Sequence, residues 1–249
     1  TFPNRGSNPT LAKNQVAIIA ELKTGKYDFG VAFDGDVDRV AFFDENGRYI
    51  NSAHIGALLA KYFLTQRKGQ KFIYTIFTSR IYRQTIQKYG GKAIRSRVGH
   101  AFIKELMHKH NARFACEHSA HFYFKGNFHA DSGILALLNL AAAYSDAMKE
   151  GLTFSEMMKE FQTYYQTEEI LIAVPDKKKA LKLIAKHYKR QRPLRIEKYD
   201  GVTILFPDCQ IAVKQSVTED ALKFVVESPE RKRAEEEKKK VHAFLKELQ

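Results

Sequence analysis

The run Phe29-Gly30-Val31-Ala32-Phe33-Asp34-Gly35-Asp36-Val37-Asp38-Arg39-Val40-Ala41-Phe42-Phe43 decides how this chain is read. Short apolar stretches, rich in aromatic and β-branched residues, flank three alternating carboxylates, a pattern that predicts strand, acidic loop, strand. Gly35 suits the tight turn. Asp34, Asp36 and Asp38 repel one another unless a cation neutralises them, and hard carboxylate oxygens favour Mg²⁺ or Ca²⁺ over softer metals. The loop is therefore a candidate divalent-metal site.

An EF-hand also begins with acids at alternate positions, and Glu45 falls where its closing Glu would lie. Its sixth position needs Gly, however, and here it is Arg39 followed at once by strand-like Val40 to Phe43, which excludes that reading. A haloacid-dehalogenase-type site, with Asp34 as nucleophile and Asp36 as acid/base, is the runner-up. A third reading is a resemblance: Asp34-Gly35-Asp36-Val37-Asp38-Arg39 is similar to the metal loop of the α-D-phosphohexomutases, the phosphomannomutase and phosphoglucomutase family. The resemblance continues in order through Phe2-Pro3-Asn4 with Asn8-Pro9, Val98-Gly99-His100, Glu117-His118-Ser119-Ala120-His121 and Ser216-Val217-Thr218-Glu219.

The resemblance implies Mg²⁺ on Asp34, Asp36 and Asp38, with Arg39 beside the transferring phosphoryl group. His100 is the other candidate catalytic residue, near the substrate. Glu117 and Ser119 would bind the sugar hydroxyls, with His121 in contact: a carboxylate accepts from two vicinal hydroxyls, and Ser both donates and accepts. Lys214, Ser216, Thr218 and Lys223 would hold the non-transferring phosphate. Several positions depart from the family pattern. Cys116 and Ala120 stand where Gly is common, Lys214 and Lys223 where Arg is usual, and Gln215 and Asp220 where Pro is usual. Lys keeps the charge but loses the bidentate fork. Ser-Ala-His followed by Phe122-Tyr123-Phe124, with Ala130-Asp131-Ser132-Gly133, is similar to the phosphomannomutase branch. The family also places a basic residue in the strand near Ile76, and this chain does not. The implied cofactors are Mg²⁺ and a hexose 1,6-bisphosphate, and the implied substrate is a mannose or glucose phosphate. The family's Thr-x-Ser-His-Asn-Pro-like loop, whose Ser carries the phosphoryl group, does not occur here. This predicts that the phosphoserine domain is a missing partner and that the chain alone binds without turning over. A non-catalytic phosphosugar-binding module is the remaining alternative.

With 249 residues, 44% of them hydrophobic, the chain can bury a substantial core in more than one domain. Its net charge of +13 is scattered; the runs Lys177 to Lys179 and Lys238 to Lys240 sit in helix-like segments, the second after Glu235 to Glu237, and read as solvated helix faces rather than a nucleic-acid surface. Cys116 and Cys209 form no metal-ligand pair and suit reduced thiols in the cytoplasm. No stretch is apolar enough to span a bilayer.

Periodicity predicts helices over 10–24, with Leu11, Val16, Ile19, Ala20 and Leu22 on the apolar side, and over 54–66, 81–88, 100–110, 153–167, 177–188 and 229–248. Besides those flanking the acidic loop, strands are predicted over 72–77, 92–94, 113–116, 168–174, 201–206, 210–213 and 221–227, with a hairpin-like turn at Glu45-Asn46-Gly47-Arg48. The class is α/β: mutase-like α/β domains, one partial (1–51, with the metal loop) and one complete (52–166, with the sugar loop), followed by a smaller α+β C-terminal domain (167–249, with the phosphate loop).

Overall fold

In the computed structural model, which describes residues 5–248, Phe29–Phe33 (β1) and Val40–Asp44 (β2) pair antiparallel. Their register ends at Phe33 opposite Val40, so 34–39 form the loop that joins them. Phe2-Pro3-Asn4 lies outside the described residues. Tyr49–Ile50 (β3) adds to β2 after the predicted turn, where the Asp44 carboxylate accepts from the Asn46 and Arg48 N–H groups at 3.0 and 2.8 Å.

The predicted helix over 10–24 is shorter than its apolar pattern suggested. Ala12–Asn14 is a single 3₁₀ turn, and only Val16–Leu22 (α1) is α-helical. The side chains of Asn14 and Gln15 reach back to the carbonyls of Asn8 and Pro9, at 2.7 and 3.0 Å, and tie down the preceding segment. Ile18, Ile19 and Leu22 pack on Ala32, Ala41 and Phe43, whereas Leu11 and Val16 are exposed.

The next sheet has the order β5-β4-β6-β7, made of Lys92–Arg95 (β5), Lys71–Tyr74 (β4), Phe114–Cys116 (β6) and Phe122–Phe124 (β7). The first three run parallel and β7 antiparallel. Ser52–Gln66 (α2), Arg80–Lys88 (α3), His100–His110 (α4) and Gly133–Lys149 (α5) accompany it. Successive side chains of a strand point to opposite faces. Ile73, Ala115 and Tyr123 accordingly meet Ile103 and Met107 of α4, while Phe114 on the other face meets Phe63 of α2 and Tyr82 of α3. Loops at the strand C-termini therefore collect at one edge.

Two predictions needed correction. Strand β4 stops at Tyr74 because Thr75 and Thr78 close a turn, with Thr75 N–H donating to the Thr78 hydroxyl at 3.0 Å and Thr78 N–H to the Thr75 carbonyl at 3.1 Å. Ile76 and Phe77 are buried in that turn rather than in a strand. The helix over 153–167 is only Phe154–Met158 (α6), entered through a Thr153/Glu156 capping box and followed by one 3₁₀ turn. The aromatic and β-branched residues beyond it favour extended chain, and Tyr165–Gln166 (β8) joins a sheet.

The chain forms two compact units, Thr1–Thr163 and Tyr164–Gln249. In the second, Arg195–Glu197 (β10), Val202–Leu205 (β11), Gln210–Gln215 (β12) and Ala221–Ser228 (β13) form an antiparallel sheet, with β8 and Ile170–Ala173 (β9) both on β13. Lys177–Lys189 (α7) and Arg231–Lys246 (α8) bury Ala180, Ile184, Tyr188, Ala234, Val241 and Leu245 against it. This is an α+β unit. Strands β7, β8 and β10 are too short to carry a periodic signal, and β7 is visible in the sequence only as an aromatic run.

The solvated reading of the C-terminal Glu-Lys run also needs revision. Glu237 is only 1% exposed, accepting from the Tyr188 hydroxyl at 2.6 Å and from the Arg233 guanidinium. Among the described residues, no helix is long and apolar enough to cross a membrane.

Candidate active site

The β1–β2 loop gathers its three carboxylates. One oxygen from each of Asp34, Asp36 and Asp38 lies within 4.8 Å of the others. Val37 holds a left-handed backbone, φ 64°, uncommon for a β-branched residue, and its carbonyl accepts the N–H of Gly133 at 3.0 Å. That N–H opens α5, and Ser132 caps the same helix by accepting from Leu135 N–H at 3.2 Å. The acidic loop is thus anchored on a helix start.

Both oxygens of the Asp34 carboxylate are engaged by Arg39: the backbone N–H at 3.1 Å and the guanidinium Nε at 2.6 Å. Burial opposes its charge, but hydrogen bonds with Asp38 and Arg39 hold the Asp34 carboxyl below the usual carboxylate range. Partial burial, with Asp34, Asp36 and Asp131 nearby, pushes the Asp38 carboxyl up to about 6. An all-oxygen cluster whose repulsion Arg39 relieves only in part fits a hard divalent cation. Asp34, the nucleophile of the dehalogenase-type alternative, is buried and held by Arg39 on both oxygens, each of which keeps a second lone pair.

The loop after β6 lies directly against the acidic loop. Val40 N–H donates to the Ala120 carbonyl at 3.3 Å, and Arg39 and His121 form an antiparallel bridge. His121 stands between the two groups of acids, its Nε2 3.5 Å from Asp38 and its Nδ1 3.8 Å from Glu117. Burial lowers its pKa against the pull of Glu117 and Asp131. The Ser119 hydroxyl is 2.9 Å from His121 Nδ1, and the Tyr123 hydroxyl donates to Glu117 at 2.7 Å. The Ser52 hydroxyl, at the start of α2, donates to the Glu117 and His118 carbonyls at 2.9 and 3.0 Å.

Three more residues belong here that sequence reasoning gave no role. Tyr123 orients Glu117, Ser52 pins the loop, and Asp131 brings a carboxylate within 4.8 Å of Asp38 and His121. Asp131 sits in the quoted Ala-Asp-Ser-Gly run, where the capping Ser and helix-opening Gly were the available signal. His100 is exposed at the first turn of α4, after Gly99 at φ 128°.

The two unusual residues of the sugar loop have local explanations. Cys116 is wholly buried, and its sulfur fills the space left by Gly56 of α2, where an added Cβ would lie 2.4 Å from it. It does not narrow the approach to the loop. Ala120 takes φ 70°, a conformation glycine adopts without strain.

The second unit carries the remaining predicted residues on the β12–β13 hairpin. Lys214 is buried and paired with Asp200 at 3.2 Å; Lys223, opposite it in register, pairs with Glu169 at 2.7 Å. Ser216 is buried and its hydroxyl has no hydrogen-bond partner among the described residues, while Thr218 is exposed. The loop is gripped by a cation the sequence reading placed on a solvated helix: Lys177 at the start of α7 donates to the Glu219 carbonyl at 3.1 Å and lies 3.2 Å from the Asp220 carboxylate.

An acidic loop bridged to a polar loop at a sheet's C-terminal edge is the arrangement that the resemblance to the phosphohexomutases implies. The family model for phosphoglucomutase/phosphomannomutase α/β/α domain II matches residues 1–47, and that for domain III matches residues 51–165. A phosphomannomutase of Methanocaldococcus jannaschii is 36% identical over 231 residues, 93% of this chain and 50% of that protein. Among solved structures, a phosphoglucomutase/phosphomannomutase family protein from Burkholderia thailandensis superposes with a TM-score of 0.81 at 23% identity, over 99% of this chain and 52% of its own. An N-acetylphosphoglucosamine mutase of Aspergillus fumigatus, in complex with GlcNAc-6P and magnesium, gives 0.66 at 13% identity over 88% of this chain and 49% of its own. The chain belongs to the phosphoglucomutase/phosphomannomutase family, the α-D-phosphohexomutases. It spans about half the length of the curated relatives it matches.

Proposed function

We propose that this chain is the metal-, sugar- and phosphate-binding portion of a phosphomannomutase, which interconverts mannose 6-phosphate and mannose 1-phosphate through a hexose 1,6-bisphosphate. The observation that carries this reading is the direct joining of the acidic loop to the sugar-type loop through the Arg39–His121 bridge. Asp34, Asp36 and Asp38 would hold Mg²⁺. Bound there, the ion supplies positive charge that neutralises the transferring phosphoryl group.

The chain's own residues have distinct tasks. Arg39, fixed by Asp34, presents a charged donor beside the acidic loop and stabilises charge that develops on the phosphoryl oxygens. Glu117, oriented by Tyr123, accepts from sugar hydroxyls, and Ser119 supplies a second polar contact. His121 lies within reach of both the acidic loop and Glu117 and suits proton transfer to or from a hydroxyl. His100 is an accessible substrate contact. Ser216 and Thr218 in the second unit are assigned to the other phosphate, with Lys177 shaping their loop and Lys214 and Lys223 contributing charge already partly balanced by Asp200 and Glu169.

The phosphoserine donor is placed outside these 249 residues, because the sequence holds no Thr-x-Ser-His-Asn-Pro-like loop. The two buried free cysteines suit a reducing, cytoplasmic setting. With Mg²⁺ and mannose 1-phosphate, the phosphorus NMR resonance is expected to broaden or shift on adding the chain, without a mannose 6-phosphate signal. An unperturbed resonance would overturn the binding claim, and multiple turnover by the pure chain would overturn the assignment of the donor.

A further inference from the structure

At the edge of the β5-β4-β6-β7 sheet away from the Glu117 loop lies an open cleft of about 290 Å³. Its wall is cationic: Arg67 and Lys68 follow α2, Lys71 opens β4, Arg113 precedes β6, Lys125 follows β7, and His110 ends α4. No carboxylate lines it. Strand polarity separates it from the loops after β4 and β6, since Lys71 and Arg113 lie at the strands' N-terminal ends.

Basic residues at this edge have an ordinary explanation, compensation of the carbonyls at helix C-termini. The hydrogen bonds here are made by other groups. Gln70 donates to the Phe63 and Arg67 carbonyls at the end of α2, at 2.8 and 2.6 Å. At the end of α4, Asn111 takes a left-handed backbone, and the N–H groups of Asn111 and Ala112 close on the His108 and Met107 carbonyls. Among the described residues, none of Arg67, Lys68, Lys71, Arg113 and Lys125 pairs with a carboxylate or donates a side-chain hydrogen bond. Arg113 is positioned by stacking 4.7 Å above the Phe63 ring, which leaves its donor fork unused. Backbone hydrogen bonds join the floor, with Arg113 N–H on the Lys71 carbonyl at 2.7 Å and Lys125 N–H on the Arg113 carbonyl at 3.0 Å.

Five cations without a carboxylate partner, of which Arg113 is positioned on Phe63 and Arg67, Lys68 and Lys125 are exposed, surround one concavity, and a compact multivalent anion relieves their mutual repulsion. We propose that this cleft binds a diphosphate group, either free or carried by a nucleotide, at a site separate from the sugar and metal loops. Diphosphate is favoured over a single phosphate because the cations enter from four separate points of the chain around the cleft, so one tetrahedral anion meets few of them.

The test is a titration of the full chain with inorganic pyrophosphate, with divalent metal removed, followed by backbone amide NMR. Saturable shifts are expected at Lys68, Gly69, Gln70, Asn111 and Lys125. The exposed pair Lys68→Glu and Lys125→Glu, combined, should weaken binding about tenfold or more while the remaining amides keep their positions. A parallel titration with ADP separates the sources. Matching shifts at equal or higher affinity assign a nucleotide-borne diphosphate, and binding by pyrophosphate alone assigns the free anion. Shifts confined to residues 116–121 or 214–219, no saturable shift at all, or undiminished affinity in the double variant would overturn the proposal.

Discussion

Replacing Gly133 by Ala tests how the acidic loop is held. A Cβ there would lie 2.9 Å from the Val37 carbonyl oxygen, 3.1 Å from the Arg39 carbonyl oxygen and 3.0 Å from Phe33 Cδ1. Two of these are backbone atoms of the loop itself and cannot rotate aside. Ala gains up to about 1 kcal/mol of helix propensity over Gly, whereas overpacking a well-filled site costs roughly 1–3 kcal/mol. The net expectation is a loss of about 1 kcal/mol, a drop in melting temperature of roughly 3 °C for a unit of this size. The larger effect should be functional: pushing the Val37 and Arg39 carbonyls outward spreads Asp36 and Asp38, so Mg²⁺ affinity should fall about tenfold, near 1.4 kcal/mol. Thermal unfolding with and without Mg²⁺ reads both, because a ligand stabilises the fold according to its concentration relative to its dissociation constant. Wild-type melting and an undiminished Mg²⁺-dependent rise would refute the idea that the start of α5 sets the loop.

Three further outcomes follow from single contacts. Ser52→Ala removes the hydroxyl donor shared by the Glu117 and His118 carbonyls and leaves Glu117 with the Ala120 N–H, so it should cost about 1 kcal/mol in urea unfolding and weaken mannose 1-phosphate in an NMR titration; unchanged sugar-phosphate binding would show that this hydroxyl does not shape the loop. Ala120→Gly should be neutral or stabilising by up to about 1 kcal/mol, against the usual penalty for glycine, because residue 120 sits at φ 70°; clear destabilisation in the same assay would contradict that backbone. In the second unit, burial opposes the charge of Glu237, but hydrogen bonds from Tyr188 and Arg233 hold its pKa below the ordinary 4.5. Its contribution is therefore present above the unfolded-state pKa and lost as pH falls through the lower folded value, so Glu237→Gln should flatten the acid limb of the stability curve and cost roughly 2 kcal/mol at neutral pH, whereas parallel wild-type and variant curves would exclude the linkage.

Much of the acidic loop was legible because its determinants are adjacent in sequence. Two apolar strands and the acids between them form one hairpin, and the order of the later motifs singled out the 117–121 and 214–220 loops, to which the proposed function assigns sugar and phosphate. What escaped reading depends on residues brought together from far apart. Nothing local to Arg39 announces His121, and nothing in Lys177 to Lys179 says that Lys177 turns onto the 216–220 loop while its neighbours do not. Glu237 looked like one more member of a charged helix face; its burial is set by Tyr188 on α7. Periodicity also overran where side chains compete with the backbone, as at Asn14 and Gln15 before α1 and at Thr75 and Thr78 after β4. The glycine-to-alanine and glycine-to-cysteine departures in the sugar loop needed the structure to explain them, since one turns on a φ angle and the other on the space over Gly56.

The most direct test of the account is calorimetric titration of the chain with Mg²⁺, beside the Asp36→Asn variant. Asp36 is exposed and contributes an oxygen to the cluster, so the substitution should leave the fold intact. One Mg²⁺ per chain in the wild type and a loss of affinity of tenfold or more in the variant are predicted. Equal affinity and stoichiometry in the two proteins would contradict the assignment of Asp34, Asp36 and Asp38 as the metal centre, and with it the proposed chemistry.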